Sequence, residues 1–398
     1  MTTVNNERRL ILVLACVQFT SIMDFMVLMP LGPQLMRVLG ISPREFGYLV
    51  AAYTLSASAA AFLTGLYIDR FDRKRALLFL YAGFGLSTLL CGLATGYLPL
   101  LLARVLAGAF GGVCGAAVFA VIGDAIAPDR RGTATGIVST AFSISAIAGV
   151  PAGLFLAAHF GWRAPFFCLA ALCLPIFAGI VYLVPRMHGH VEPPAHQSGP
   201  LKRIGDILGH PNHRWALALP ATMVFGGFSV IPFLSPYAVA NVGLRETDLP
   251  YIYFFGGLAT VFTSRYIGRL SDRRGKRETF AIVAGLSILP ILIVTNLPPA
   301  PVWVMVSCTT LFMVCISGRV VPAMALVTAS APPRLRGGLM SFNSALQHLS
   351  SGLAALSAGV IVGTDATGAL TNYWIVGLIA AGCTLLAIAI SQRVKAVS

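Results

Sequence analysis

Charged side chains are scarce in this sequence. Asp, Glu, Lys and Arg make up 11% of its 398 residues, whereas about a quarter is usual in a soluble domain. A soluble chain of this length would form two or three domains, each with a charged surface. Because 14 acidic and 28 basic residues cannot supply those surfaces and 57% of the residues are apolar, the composition predicts an integral membrane protein.

Acidic residues are the scarcer of the two charged classes, which leaves a formal net charge of +14. Such a balance is also found in nucleic-acid-binding proteins, where the basic residues cluster on one folded face. Here they lie almost entirely in short connectors between long apolar runs. We therefore expect a lipid bilayer as partner, and no nucleic acid.

The sequence has no paired Cys-x-x-Cys motif. Its eight cysteines all lie within apolar runs, which indicates small buried side chains and no disulfide framework. Three histidines, His188, His190 and His196, lie in a connector rich in Pro and Gly. A solvated linker explains them better than a weak metal site. We predict no metal ion and no cofactor.

Twelve apolar runs are long enough to cross a bilayer, which takes about 20 residues each. They cover approximately residues 10–35, 46–68, 76–93, 98–126, 133–160, 164–184, 215–240, 249–271, 280–297, 302–331, 339–362 and 370–390. The first run follows Arg8 and Arg9 but has no cleavage site after it, so it is predicted to be a retained helix and not a signal peptide.

The positions of the basic residues predict the orientation of these spans. Twenty of the 28 Lys and Arg residues fall at the termini and in the even-numbered connectors, and four fall in the odd-numbered connectors. Basic connectors stay in the cytoplasm. Both termini are therefore expected in the cytoplasm, in a multi-pass protein of the cell (inner or plasma) membrane.

The two halves of the chain are similar to each other. The aspartates of two matching connectors, Asp69 and Asp272, are 203 residues apart, and a second pair of landmarks, Gly132 and Gly337, is 205 residues apart. Nearly equal offsets indicate a parallel duplication. We expect an N-terminal six-helix bundle at 1–185, a cytoplasmic linker with a short amphipathic helix at 186–210, and a second six-helix bundle at 211–398.

The connectors at Gly65–Arg75 and Gly268–Arg277 resemble the Gly-x-x-x-Asp-Arg-x-Gly-Arg/Lys-Arg signature of the major facilitator superfamily. The resemblance covers essentially the whole chain. It implies an all-α membrane protein with twelve transmembrane helices in two pseudo-symmetric six-helix bundles. In the first copy Asp72 replaces the motif's second glycine, and since Asp tolerates left-handed turns, we expect the turn to survive.

The resemblance also implies a latch that closes the cytoplasmic side. An alternative explanation is topology signalling, which accounts for the basic residues but not for Asp69 and Asp272, since acids contribute little to orientation. The predicted gate consists of Gly65, Asp69, Arg70, Arg73, Asp124, Arg131, Gly268, Asp272, Arg273, Lys276 and Arg277.

Within the superfamily the chain resembles the twelve-span drug:proton antiporter group, especially its arabinose/purine-efflux-like branch. Residues 23–30, 104–108 and 161–163 carry this resemblance. The helix-5 antiporter motif is matched by Gly149, Pro151 and Gly153, with Val150 between the first glycine and the proline.

Two charged residues in the first half lie deep within predicted spans, where an unpaired charge costs several kcal/mol. Asp24 and Arg104 lie at similar heights when counted along their helices at 1.5 Å per residue. The family resemblance implies that the first and fourth helices face each other across a central cavity. We predict that the two residues form a buried pair that couples protons to transport, because the arginine favours the ionised carboxylate and separation favours the protonated one. The alternative is a permanent pair that only joins two helices.

The second half has no acidic residue in the middle of a span. Its polar residues are Arg319 and a band on the eleventh span that includes Asn343, Gln347 and His348, and Arg319 and His348 lie at similar heights. Substrate contact and helix–helix hydrogen bonding both explain this band. The predicted substrate cavity comprises Gln18, Phe19, Phe25, Tyr53, Tyr237, Arg319, Asn343, Gln347 and His348.

Together these features predict a monomeric secondary transporter that exports a small organic molecule against inward proton flow by alternating access. Uptake, uniport or exchange of an organic anion or zwitterion, lipid-like substrates included, is the alternative within the same fold. A membrane-embedded enzyme would need a nucleophile, a base and an orienting group at midplane, and His348 has no acidic partner in its half. A sensor that transports nothing is a third possibility, but no signalling domain is appended.

Overall fold

The computed structural model describes residues 2–67, 72–127, 129–185, 205 and 208–395. The described helices are α1 (Thr2–Val27), α2 (Gly32–Leu39), α3 (Pro43–Tyr67), α4 (Arg73–Leu93), α5 (Tyr97–Ala125), α6 (Arg131–Ile144), α7 (Val150–Phe160), α8 (Ala164–Leu183), α9 (Pro211–Ala240), α10 (Leu249–Arg274), α11 (Lys276–Val294), α12 (Val302–Gly318), α13 (Val320–Ala329), α14 (Pro333–Ile361) and α15 (Tyr373–Ser391). A π-helical turn (Ser145–Gly149) joins α6 to α7, and a 3₁₀ turn (Glu246–Asp248) precedes α10. Two short strands, β1 (Gly363–Thr364) and β2 (Leu370–Thr371), pair antiparallel before α15.

Ten helical segments of the described chain are long and apolar enough to cross a membrane, with α6 and α7 counted as one segment and α12 and α13 as another. Two further helices, α10 with 26 residues and α14 with 29 residues, are long enough but more polar. These twelve segments match the twelve predicted spans. The predicted all-α fold class is therefore confirmed, and the β1–β2 ribbon is the one pair of strands in the described residues.

Prolines explain where two predicted spans are interrupted. The first span was expected to continue to Leu35, but α1 ends at Val27 and α2 begins at Gly32, because Pro30 has no amide hydrogen and disfavours helix in the residue before it. In the tenth span Pro322 cannot donate to the carbonyl of Gly318, and the helix is divided at Arg319. The seventh span contains three internal prolines and is nevertheless one helix, α9.

Contacts between residues divide the chain into two compact units. The first unit comprises residues 1–28 and 52–197, and the second comprises residues 29–51 and 198–398. Segment 29–51, which the sequence assigns to the first half, packs within the second unit. There a Cβ on Gly47 would lie 2.9 Å from the carbonyl oxygen of Ala355 in α14, so this close approach of two helices requires glycine.

The two copies of the connector motif begin their following helices in different ways. Asp72 has a φ of −57°, outside the left-handed region, and its carboxylate accepts a hydrogen bond from the Arg75 amide at 2.9 Å. Gly275 has a φ of +98° and both ends α10 and precedes α11. The expectation of a left-handed turn at Asp72 was therefore wrong: the residue caps α4, which an aspartate does well. Most of the predicted linker lies outside the described residues, as do Leu201 and Ile204 of its amphipathic helix.

Candidate functional site

A buried ion pair connects α1 to α5 in the first unit. One guanidinium nitrogen of Arg104, Nη1, donates to Oδ2 of Asp24 at 2.8 Å. The same nitrogen lies 3.4 Å from the Asp24 carbonyl oxygen, and the Thr88 hydroxyl donates to Oδ1 at 3.3 Å. Asp24 is 0% exposed and Arg104 is 1% exposed. The predicted pair is thus present, and it is completely enclosed.

Of the predicted cavity residues, Tyr53 packs directly on this pair and Phe25 packs on Tyr53. The Arg104 guanidinium carbon lies 4.5 Å above the centre of the Tyr53 ring, a cation–π geometry. Tyr53 in turn stacks on Phe25, with ring centres 5.3 Å apart. Asp24, Thr88, Arg104, Tyr53 and Phe25 form a continuous group that we call the acid–arginine cluster.

Glycine on α5 lets α3 approach closely enough to place Tyr53 in the cluster. A Cβ on Gly108 would lie 2.0 Å from the Tyr53 carbonyl oxygen and 2.2 Å from the Ser56 hydroxyl. Since real Cβ atoms essentially never approach this closely, the Gly108 backbone itself lies against α3. Arg104 is one turn earlier on the same helix, so this contact fixes its position relative to Tyr53.

The predicted helix-5 motif packs on α1 beside Asp24. A Cβ on Gly149 would lie 2.7 Å from the Met23 sulfur, and one on Gly153 would lie 2.8 Å from the Met23 methyl carbon. Gly149 is the last residue of the π-helical turn, and Pro151 follows within the first turn of α7. Single π-helical turns within α-helices are often found at functional sites. The motif therefore contacts the residue directly before the buried acid.

The remaining predicted cavity residues of the first unit, Gln18 and Phe19, precede Asp24 on α1. Phe19 is half-buried, and its carbonyl oxygen accepts a hydrogen bond from the Ser145 hydroxyl at 3.4 Å. Gln18 lies beside α5, where a Cβ on Gly115 would be 3.3 Å from its Oε1 atom. That oxygen is buried and has no hydrogen-bond partner among the described residues. An unpaired acceptor at this point suits a polar ligand.

The second unit contains a buried arginine whose partners are all neutral. Arg319 is 1% exposed. Its Nη1 atom donates to the Thr384 hydroxyl at 2.9 Å and lies 3.4 Å from the Ser287 hydroxyl, and its Nη2 atom donates to the Met223 carbonyl oxygen at 3.0 Å. No carboxylate pairs with it in the described part of the unit, and Nε has no partner there.

The polar band on α14 is arranged around a methionine sulfur. The amide nitrogens of Asn343 and Gln347 both lie near the Met324 sulfur, at 3.8 and 4.0 Å. Asn343 is 1% exposed, and within the described chain its Oδ1 atom has no partner. His348 is half-buried on the same helix. The structure shows no hydrogen bond between Arg319 and His348, which the sequence placed at similar heights.

Tyr237 lies in a packed environment in this structure. Its hydroxyl donates to the Leu297 carbonyl oxygen at 3.1 Å, and its ring lies 4.8 Å from the Tyr373 ring. Among the described residues, Tyr237 forms no hydrogen bond with Arg319, with Met324 or with the side chains that contact them. Its assignment to a substrate cavity stays a prediction.

The predicted gate residues are only partly described. Arg73 and Asp124 form an ion pair at 2.8 Å, and Arg131 donates to the Ile126 carbonyl oxygen at 2.8 Å. In the second unit Arg277 donates to the Val394 carbonyl oxygen at 2.6 Å. Gly65 lies in the last turn of α3, and Gly268 lies in α10. The side chains of Asp272, Arg273 and Lys276 are exposed. Asp69 and Arg70 lie outside the described residues, so the latch stays a prediction.

Sequence reasoning missed several neutral residues that complete these groups. Thr88 binds Asp24, Ser287 and Thr384 bind Arg319, and Met324 contacts two amides. Hydroxyl groups inside otherwise apolar spans were the available signal for the first three. Met324 gave no signal, because a methionine in an apolar run is ordinary. The described residues contain no group of three or more His, Cys, Asp or Glu side chains suited to a metal ion.

Comparison with known proteins assigns the family. A family model described as the Major Facilitator Superfamily matches residues 14–355 and, in a second match, residues 224–396. The chain belongs to the Major Facilitator Superfamily. It is therefore a multi-pass membrane transporter and not an enzyme.

Two curated relatives are named for drug resistance. Multidrug resistance protein 2 of Bacillus subtilis (strain 168) is 27% identical over 312 residues, which cover 74% of this chain and 77% of that protein. The chloramphenicol resistance protein of Streptomyces lividans is 26% identical over 386 residues, which cover 95% and 94% of the two chains.

A solved structure supports the fold independently. The crystal structure of a bacterial homolog to the human lysosomal transporter Spinster, in an inward-facing and unoccupied conformation, matches with a TM-score of 0.75. The match covers 98% of this chain and 95% of that chain at 17% sequence identity. At this identity the likeness shows the shared fold alone.

Proposed function

We propose that this chain is a proton-coupled antiporter that exports a small organic molecule by alternating access. The observation that carries the proposal is the enclosed Asp24–Arg104 pair at 2.8 Å. Among the described residues Asp24 is the one acid with no exposed surface, and it lies in the last turn of α1. A buried pair is often no more stabilising than apolar packing of similar volume, so its presence favours a role in transport over a role in stability alone.

The proposed cycle alternates the partner of Asp24 between Arg104 and a proton. In the enclosed state Arg104 and Thr88 both donate hydrogen bonds to the carboxylate. Separation of the two helices removes those donors and admits water, and the carboxyl group then takes up a proton. Substrate and proton compete because both change the same contact. Arg104 keeps its charge throughout, as guanidinium does not deprotonate in proteins.

The substrate contacts proposed for the first unit are Gln18, Phe19, Phe25 and Tyr53. Their support is the unpaired Gln18 Oε1 atom, the packing of the Tyr53 ring on the pair and the stacking of Phe25 on Tyr53. In the second unit we propose Asn343, Gln347 and His348, supported by the unpaired Asn343 Oδ1 atom. Arg319 would contact substrate only after movement, since it is 1% exposed and its hydrogen-bond partners on three helices, α9, α11 and α15, surround it in this structure.

The two relatives named for resistance support export as the direction. The strong asymmetry of basic residues supports cytoplasmic termini in the cell (inner or plasma) membrane. A monomer with a small molecule, protons and lipid as its partners completes the proposal. The second candidate is exchange of organic anions without protons, favoured by the buried, acid-free surroundings of Arg319.

The test begins with a thermal-shift screen of metabolites and drugs, chloramphenicol among them, at two pH values. A ligand linked to a proton stabilises the purified protein to a different extent at each pH. The ligand found is then used for transport into reconstituted vesicles with and without a pH gradient. An antiporter is driven by the gradient, whereas an anion exchanger needs only a counter-anion.

Asp24→Asn is the decisive variant, since it keeps the volume and removes the titration. We expect substrate binding to remain measurable and gradient-driven transport to fall by a factor of about 100 or more. The matched control is Thr88→Val, which loses one hydrogen bond to the same carboxylate but keeps the proton site. Full gradient-driven transport by Asp24→Asn would falsify the proton-carrier role.

A further inference from the structure

The cytoplasmic half of α10 carries arginine side chains on an exposed face. Arg265 and Arg269 are one turn apart and both exposed in the second unit. Phe262 and Tyr266, 66% and 68% exposed, share that face, because residues three and four apart are neighbours on a helix. This set of four side chains is called the α10 face below.

The depth of Arg265 makes contact with lipid tails unfavourable. It lies nine residues before the end of α10 at Arg274, which is about 14 Å along the helix axis. The helix is about 39 Å long at 1.5 Å per residue, against a hydrocarbon core of about 30 Å. An arginine exposed to hydrocarbon at this depth costs several kcal/mol. The α10 face is therefore expected to border water.

The polarity of the whole helix supports the same conclusion. Of the twelve membrane-crossing segments, α10 is one of two that are too polar to qualify on composition. The other is α14, which carries Asn343 and Gln347. A long helix that is not apolar on all sides needs a neighbour other than lipid on its polar face.

The internal duplication shows that the arginines are not required by the fold. The offset of 203 residues between the two connector aspartates relates Arg265 to Phe62 and Arg269 to Leu66. Phe62 is exposed on the first unit. The first half thus has apolar residues at these two helix positions, and only the second half has arginines there.

No acid neutralises these arginines in the part of the chain that the structure describes. Arg265 and Arg269 take part in no ion pair there. Asp272 lies one turn beyond Arg269, is exposed and forms no such pair either. Two neighbouring guanidinium groups without a carboxylate provide donors that suit a bound anion.

We propose that the α10 face binds the anionic group of the transported molecule, with Arg265 and Arg269 on a carboxylate, sulfonate or phosphate and Phe262 and Tyr266 beside its apolar body. The inference rests on the proposed transport function and adds the substrate class, an organic anion or zwitterion. It needs neither the direction of transport nor the coupling ion to be as proposed.

The test measures labelling of Phe262→Cys by two thiol reagents of opposite charge, sulfonatoethyl and trimethylammonioethyl methanethiosulfonate. The parent chain, with its eight native cysteines, gives the background. We expect reaction with both reagents and a preference for the anionic one. Adding Arg265→Gln should lower the ratio of the two rates about tenfold, since one charge about 6 Å away in water changes each rate about threefold in opposite directions.

Two variants serve as controls for this measurement. Arg265→Lys keeps the charge and should keep the preference. Ala59→Cys lies on α3 at the position related to Phe262, with Phe62 in place of Arg265, and should show no dependence on reagent charge beyond that of the parent. If Phe262→Cys reacts with neither reagent, or if Arg265→Gln leaves the ratio unchanged, the proposal is wrong.

Ligand protection identifies what the arginines bind. We expect 2-naphthoate to slow labelling of Phe262→Cys about twofold at its half-saturating concentration, and naphthyltrimethylammonium to have no effect. Vesicles of phosphatidylcholine with and without phosphatidylglycerol form the lipid arm. Slowing by the anionic lipid and not by naphthoate would assign the face to lipid headgroups and overturn the proposal.

The labelling result is separable from the antiport proposal. Labelling needs no proton gradient, so Asp24→Asn is expected to leave the charge preference unchanged. If the labelling prediction fails, the proposed proton-carrier role of Asp24 is unaffected. If transport does not depend on the pH gradient, the proposed anion site on the α10 face is unaffected.

Discussion

The two units each bury an arginine, but they balance its charge differently. In the first unit Arg104 is paired with Asp24 at 2.8 Å. In the second, Arg319 is bound by two hydroxyl groups and a carbonyl oxygen, none of which carries a charge. The first arrangement contains a group that can change its charge, and the second contains a fixed positive charge.

This difference suggests that the two duplicated halves have different functions in transport. A titratable carboxylate is needed to carry a proton, and within the described chain the one acid with no exposed surface, Asp24, lies in the first unit. The second unit has Arg319 inside and Arg265 and Arg269 on α10, with its described acids at helix ends and in loops. Proton coupling would thus belong to the first unit and recognition of negative charge to the second.

The largest stability effect should follow from removing the arginine of the charged pair. Arg104→Met leaves Asp24 buried without its partner, and we expect a loss of about 3–5 kcal/mol in the free energy of unfolding. Denaturation of the purified protein in detergent measures it. Adding Asp24→Asn should recover most of the loss, because the uncompensated charge is gone. A double variant no more stable than Arg104→Met would show that packing, and not charge, holds the site.

Arg319→Met tests the neutral surroundings of the second arginine. It strands hydroxyl and carbonyl acceptors but no carboxylate, so the expected loss is smaller, about 1–2 kcal/mol. A loss equal to that of Arg104→Met would contradict the contrast between the units. In binding assays with the ligands of the thermal-shift screen, Arg319→Ala should lower the affinity for anionic and zwitterionic compounds more than the affinity for cationic ones. An unchanged ranking would make Arg319 structural.

The hydroxyl groups give a finer comparison. Thr88→Val removes a donor to the Asp24 carboxylate, whereas Ser287→Ala removes an acceptor from Arg319 at 3.4 Å. Hydrogen bonds to charged groups contribute about 1.5–3 kcal/mol at best, and both of these contacts are long. We expect a loss of about 1 kcal/mol for Thr88→Val and less for Ser287→Ala. The reverse order would place the stronger electrostatic site in the second unit.

The smallest effect concerns two methionines of the sites, Met23, which is buried, and Met324, which is half-buried. Met324→Leu keeps the volume but removes the sulfur that accepts from Asn343 and Gln347. Met23→Leu removes a sulfur that lies beside Gly149 and accepts no hydrogen bond among the described residues. Both should cost less than about 1.5 kcal/mol. Met324→Leu alone should alter ligand affinity, as measured by the shift in melting temperature with ligand. Equal changes in both variants would mean that the sulfur of Met324 has no special role.

Much of the first-unit site could be predicted because burial of charge is costly. Asp24 and Arg104 were identified as partners from their depth along their helices, together with the facing of the first and fourth helices that the family resemblance implies. Phe25 and Tyr53 were assigned to the same cavity, and the structure brings both to the pair. The pairing required no detailed geometry, since each charge had few candidate partners within a span.

The second-unit site could not be predicted in the same way. Arg319 and His348 have similar heights, but height does not determine which way a side chain points around a helix. The structure directs Arg319 toward Ser287 and Thr384. Neutral hydroxyl groups of this kind are common in membrane helices and satisfy themselves within their own helix, so they give no unique signal.

The amino-acid sequence by itself determined the membrane class, the twelve crossings, the duplication and the presence of a buried pair. Each follows from the cost of exposing polar groups to lipid, which depends on composition and on distance along a helix. Only the tertiary structure decided that Asp72 caps a helix, that residues 29–51 pack within the second unit and that Arg319 is held by neutral groups. Those outcomes depend on the rotation and contact of helices, and many rotations satisfy the same pattern of apolar residues.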